Sequence, residues 1–295
     1  MSNFIENQEV VIYKGSRGKD FKDLIFNLLV KSKLKMHYID LLMNDESMKI
    51  YDKVFTSDSA DVDENYEVYE QFGDITANKF IVWYMHRRFP KLMCPQGVKV
   101  VARLRINYGA KQSFASIAEN LGFWDYITSS EDERSRNKKP LLEDVFEAFI
   151  GATEFIIDSN IKECVGYSIA YNILTDIFDG IDISLKYEDL YDAKTRLKEL
   201  FDFYGAEVLG TLKYDTIKCE GEKINRSNVF QIFKGRSYKL GEGIASLKGD
   251  SEQRAASFAI QTLRSNGFSK PVPEIYSSFS KKNWIMNKKK LKSYI

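Results

Sequence analysis

Over the first 180 residues, apolar positions recur every three or four residues, the period of helices that bury one stripe. Phe21, Leu24, Ile25, Leu28 and Leu29 begin this pattern, which predicts a helix over 21–42. Residues 56–64 are polar and acidic and read as a loop. A longer helical pattern over 66–88 holds no proline and a single glycine, Gly73, before Pro90 and Pro95 in FPKLMCPQG stop it. Helices are expected over 97–108 and 113–121, a charged loop over 128–140, and two more helices over 141–157 and 168–178. No strand pattern is evident in this region.

The character changes after residue 190. Residues 193–204 form an amphipathic helical pattern stopped by Gly205. Three strand-like runs follow, at 211–219, 228–234 and 237–248, separated by turn residues at 220–227 and at Gly235-Arg236. An alanine-bearing helix over 251–264 closes at Asn266-Gly267. The expected class is therefore α+β: an all-helical domain, then one of order α-β-β-β-α. A chain of 295 residues has room for both. The expected boundaries are an extension at 1–17, the helical domain at 18–182, a linker at 183–191, the mixed domain at 192–268 and a tail at 269–295.

Composition excludes more than it assigns. Hydrophobic residues at 44% and aromatics at 14% are enough for packed cores, so disorder is not expected. Lys and Arg number 43 against 42 acids, so net charge alone points neither to nor away from nucleic acid. Three scattered cysteines, Cys94, Cys164 and Cys219, form no CxxC pair, which argues against a disulfide framework or a zinc site and for a reducing compartment. The polar N-terminus is not a signal peptide, and no apolar run approaches the ~18 residues of a membrane span. A soluble intracellular protein without membrane association is expected. The last sixteen positions, 280–295, carry six lysines and no acid around Trp284. They read either as an arm that tracks a phosphate backbone or as a solvated end.

The chemistry lies in two acidic clusters. Glu67, Glu70 and Asp74 stand at i, i+3 and i+7 and share one helix face; Asp144 and Glu147, at i and i+3, share another. The second pair is set among Leu141, Leu142, Val145, Phe146, Ala148, Phe149 and Ile150, where uncompensated carboxylates would be costly to desolvate. Acids at this spacing are commonly just a solvated face. Two such clusters on apolar helices instead suggest a cage for hard divalent cations, which take oxygen ligands and share them with a phosphate. A di-iron carboxylate bundle is excluded, since it needs Glu-x-x-His and neither His37 nor His86 lies three residues after a Glu.

These clusters carry a resemblance. YEVYEQFGD (66–74), followed by ITANKF, resembles the ribonuclease III signature, usually close to NERLEFLGDSxLN. LLEDVFEAFIGA (141–152) resembles the second motif of that family, and HRRFP (86–90) is a third match. Downstream, KTRLKELFDFYG (194–205), LGEG (240–243) and the alanine-bearing helix resemble the double-stranded-RNA-binding domain that follows the nuclease domain in these enzymes. The resemblance implies a Mg2+-dependent endoribonuclease, with Mn2+ able to substitute, that hydrolyses double-stranded RNA by a two-metal mechanism and leaves 5′-phosphate and 3′-hydroxyl ends. It implies that Glu70, Asp74, Asp144 and Glu147 are the catalytic, metal-binding carboxylates. It implies RNA contacts at Glu67, Lys194, Glu199, Lys248 and Arg254. A homodimer is implied, with a heterodimer as the alternative. Richness in lysine and asparagine resembles enzymes of large DNA viruses, which would place the protein in a host cytoplasm.

The chain departs from the family pattern in places. Gln71 occupies the position of an aromatic that acts as a knob in the dimer interface, with Phe72 beside it, and a further family acid falls at about Cys94. The lysine pair that opens the last helix of the RNA-binding domain is reduced to Lys248-Gly249, and the loop GEKINR (221–226) lacks the usual histidine. Lys138 and Lys139 could approach a scissile phosphate or be plain loop charges. These losses suggest a competing reading, a non-catalytic RNA-binding or scaffold protein on the same fold. The four retained carboxylates favour the enzyme, because unneeded buried acids cost stability.

Overall fold

Residue Lys33, with φ at +58°, interrupts the helical pattern expected to run over 21–42. A helix cannot continue through that left-handed conformation. The stretch is accordingly two helices, α1 (Lys19–Lys31) and α2 (Met36–Leu42). Helix α3 (Asp45–Val54) was not anticipated, although its buried Met48, Tyr51 and Val54 recur every third residue between charged ones. Asn44 starts it by accepting a hydrogen bond from the Ser47 amide at 2.8 Å. The computed structural model describes residues 10–109, 111–219 and 223–279. The lysine-rich segment 280–295 and part of the 221–226 loop lie outside them.

Helices α4 (Glu67–Arg88), α5 (Gly97–Tyr108) and α6 (Lys111–Asn120) follow the expected pattern closely. The region expected as a loop over 128–140 differs. Ser129–Ser130 forms strand β2, which pairs antiparallel with β1 (Ile12–Tyr13). Helix α7 (Glu131–Arg136) follows, opened by the Ser130 hydroxyl accepting from the Glu133 amide. Helix α8 (Lys138–Asn160) begins before Pro140, which is tolerated because first-turn amides have no intrahelical acceptor. Two-residue strands and a six-residue helix are too short to show periodicity. Helix α9 (Gly166–Asp179) completes this part.

Helix α8 is the axis of the first unit. Its apolar residues face all round, and Phe146, Phe149 and Val145 are fully buried. Helices α4, α6, α9 and α3 pack against it. Tyr51 of α3 stacks on Phe149, and its hydroxyl meets the Thr153 hydroxyl at 3.0 Å in the core. No described helix is long and apolar enough to cross a membrane.

The chain divides into two compact units at Ile183/Ser184. In the second, the expected linker contains a short helix, α10 (Tyr187–Leu190), with both ends buried. Then come α11 (Ala193–Tyr204), α12 (Ala206–Leu209), strands β3 (Thr211–Cys219), β4 (Ile224–Phe233) and β5 (Arg236–Ala245), α13 (Lys248–Ser265) and α14 (Glu274–Phe279). The strands form an antiparallel sheet in the order β3-β4-β5. Helix α13 lies directly on β5, because Gly241 and Gly243 leave room for its backbone. A Cβ on Gly243 would stand 2.2 Å from the Ser251 carbonyl oxygen. Ala255, Ala256 and Ala259 complete the close contact and join Leu197, Leu200, Phe201 and Val229 in the core.

Candidate metal centre

The crossing of α4 and α8 makes the site, and two glycines permit it. A Cβ on Gly73 would stand 1.8 Å from the Glu147 carbonyl oxygen, and one on Gly151 would stand 2.0 Å from that of Tyr69. The two backbones therefore touch at both points. Residues one turn away on each helix are carried to the same place, and on those turns sit Glu70 and Asp144 with Glu147.

Glu70, Asp144 and Glu147 each offer a carboxylate oxygen, and these atoms all lie within 4.8 Å of one another. Among the described residues this is the one group of three or more such side chains gathered so closely. Glu147 is buried, with 5% of its surface exposed, while Glu70 and Asp144 are half-buried and open the cluster towards solvent. The Glu147 carboxyl is pushed up to about 8 by its burial and then by the charges of Glu143, Asp74, Glu70 and Asp144. So many like charges around one desolvated acid fit a cationic occupant. An all-oxygen donor set suits a hard divalent ion.

Asp74, also expected as a ligand, is exposed and stands outside that threesome, although its charge acts on Glu147. The Asn78 amide holds its carboxylate at 2.7 Å. Glu67 is exposed in the first turn of α4. Two neighbours escaped sequence reasoning. Glu143 is 4% exposed, so it is not the outward-facing acid its place beside Asp144 suggests. Tyr66, buried at the start of α4, donates its hydroxyl to Asp144 Oδ2 at 3.2 Å. Burial first, then the charges of Asp144 and Glu133, raise the Tyr66 pKa and keep the phenol protonated. The signal for Tyr66 was its place at the head of the first motif.

In the second unit the expected RNA contacts are already engaged. The Lys194 ammonium pairs with Glu252, and Lys248 lies 3.8 Å from the same carboxylate. These lysines and a hydrogen bond from Thr216 hold the Glu252 carboxyl below its usual range, the Lys194 hydrogen bond most of all. Glu199 accepts from the Tyr187 hydroxyl and from Lys270, the latter at 2.7 Å. Exposed Arg254 donates to the Ile244 carbonyl at 2.7 Å. In the first unit Lys138 pairs with Glu119 at 2.7 Å.

The Ribonuclease III domain family model matches residues 67–155, a span that contains both acidic clusters together with Gly73 and Gly151. A protein of Invertebrate iridescent virus 6 designated a ribonuclease 3 is 41% identical over 293 residues, covering 95% of this chain and all of its own length. The chain belongs to the ribonuclease III family. That family consists of endoribonucleases and depends on divalent metal, in keeping with the acidic cluster. Ribonuclease 3 of Limosilactobacillus fermentum is 32% identical over 205 residues, covering 68% of this chain and 80% of its own. The solved nuclease domain of ribonuclease III from Campylobacter jejuni aligns with a TM-score of 0.40 at 26% identity, over 49% of this chain and 95% of that one.

Proposed function

We propose that this ribonuclease III family member hydrolyses double-stranded RNA with Mg2+, for which Mn2+ substitutes, held by Glu70, Asp74, Asp144 and Glu147. The observation that carries this reading is the convergence of Glu70, Asp144 and Glu147 oxygens within 4.8 Å across α4 and α8. Bound there, the cations would stabilise charge on the phosphate and activate water, a two-metal hydrolysis that leaves 5′-phosphate and 3′-hydroxyl ends. The chain's own part is placement. Gly73 and Gly151 set the helix separation, Asn78 orients Asp74, and Glu147 is the deep acid that must give up its proton when a cation arrives. Glu67, exposed one turn before Glu70, meets the RNA rather than the metal in this reading.

The second unit has the α-β-β-β-α order of a double-stranded-RNA-binding domain, with α11 and α13 packed together over the sheet. In this reading Lys194, Glu199, Lys248 and Arg254 meet the duplex. Glu252 neutralises two of those cations, so the unit binds weakly and the nuclease unit contributes its own share of affinity. The dimer of this reading forms through the exposed Phe72, Ile75 and Phe155, whose two phenyl rings stack at 6.2 Å beside the Gly73/Gly151 crossing. The knob is thereby moved one residue from Gln71.

The test is cleavage of a long perfect RNA duplex in Mg2+ or in EDTA, with Glu147→Gln alongside. Short products in Mg2+ alone, absent with the variant, are expected. A variant that cuts at the wild-type rate would refute the site. Intact RNA that the folded protein merely shifts on a gel would favour the binding-protein alternative.

A further inference from the structure

The hydrogen bond from Tyr66 to Asp144 is the inner end of a connected frame that starts near the N-terminus. Tyr66 is fixed twice, since its ring is buried and its amide donates to the Thr56 carbonyl at 3.0 Å. The loop between them is tied down at its base. The Ser57 amide donates to the Thr128 carbonyl at 2.9 Å, and the Ser57 and Ser59 hydroxyls both donate to Glu133 Oε2, at 2.6 and 2.5 Å. The Ser130 amide in turn donates to the Ser59 hydroxyl at 2.9 Å. Segment 128–134 is therefore the wall on which the Tyr66 loop hangs.

The N-terminal segment holds that wall from the other side. Strand β1 pairs with β2, the Glu131 amide donates to the Val11 carbonyl, and the Gly15 amide donates to the Thr128 hydroxyl at 3.0 Å. Arg134 lies 3.8 Å from the ring centres of both Tyr13 and Trp124 and donates to the Ile127 and Trp124 carbonyls. A Cβ on Gly15 would stand 2.1 Å from the Tyr126 carbonyl oxygen, so the segment lies flat against its neighbour. Residues 11–15 thus belong to the site's support, although their sequence reads as an extension.

We propose that Tyr66 is a positioning residue for the metal centre, fixing the Asp144 carboxylate in its ligating orientation, and that Glu133 with the N-terminal strand holds Tyr66 in place. The proposal rests on the metal-site reading above. A charged acceptor bound to a buried hydroxyl is held in one orientation, so the ligand is ordered before the cation arrives. Without the hydroxyl, Asp144 must be ordered at the expense of metal affinity.

The experiment measures Mn2+ binding to the full-length, RNA-free protein by electron paramagnetic resonance of the free ion. Four proteins are compared: wild type, Tyr66→Phe, Glu133→Ala and Asp144→Asn. Tyr66→Phe keeps the ring and should weaken Mn2+ binding about tenfold, at the lower end of what loss of a ligand's supporting partner costs. Glu133→Ala leaves the phenol intact but frees its loop, and a smaller loss, of about threefold, is expected. Cleavage by Tyr66→Phe should recover as Mn2+ is raised to saturation, which a folding defect would not allow. Should Asp144→Asn lose Mn2+ while both other variants bind as wild type does, the positioning role is overturned and the metal site stands. Wild-type binding by Asp144→Asn would instead overturn the metal-site reading itself.

Discussion

Replacing Glu147 by Gln in the metal-free protein should change how stability depends on pH, and the structure sets the sign. The folded carboxyl is raised from its usual 4.5 to about 8. Between those values the folded chain keeps a proton that the unfolded chain has released. This contribution is full below about pH 4.5 and is lost as pH rises through about 8. At about 1.4 kcal/mol per pH unit the ceiling is roughly 5 kcal/mol. Water entering from the open side of the cluster reduces this, and about 2–3 kcal/mol is expected at an effective dielectric near 20. For a unit of this size that is about 5–10 °C in melting midpoint. Glutamine has nearly the same volume and does not titrate, so it isolates the term. Melts of both proteins in EDTA, from pH 5 to pH 8.5, should show wild type losing ground steadily to the variant. Mg2+ at pH 8 should restore wild type and leave the variant unmoved, since binding to the folded state alone stabilises it. Parallel pH curves in EDTA would refute the reasoning, because a carboxylate already ionised at pH 6 would feel neither the burial nor the neighbouring charges.

Gly151→Ala puts a methyl group 2.0 Å from the Tyr69 carbonyl oxygen, so α4 and α8 must separate. Destabilisation of about 1–3 kcal/mol or more is expected, together with a loss of cleavage of at least about a hundredfold from misplaced carboxylates; a wild-type melt with full cleavage would show that the crossing does not set the site. Glu252→Gln releases Lys194 and Lys248 from their shared carboxylate. Tighter duplex binding is expected, with the slope of log affinity against log salt steeper by about one for each lysine that reaches a phosphate, and unchanged or weaker binding would mean that neither lysine meets the duplex.

Long elements were legible in the sequence. Helices α4 and α8 were visible because their apolar residues recur over many turns, and the three strands of the second unit because turn residues separate β-rich runs. The acidic clusters were legible for the same reason, since a spacing of three or four on one helix is a geometric fact about that helix. What failed was short or set by distant contact. The break at Lys33 and the β1/β2 pair carry too few residues for a period to show.

The sequence by itself therefore determined which residues share a face and which helices carry acid. It could not determine how those faces meet. That depends on Gly73 and Gly151 letting two backbones touch, a relation between residues far apart in the chain that no local pattern records. Tertiary packing alone decided that Glu147 is the deep acid and Asp74 the exposed one, that Glu143 turns inward, and that Tyr66 meets Asp144. It also decided that Glu252 occupies two cations which by sequence seemed free for RNA. Desolvation and charge coupling act through space, so the chemistry of these acids became readable once their neighbours were in place.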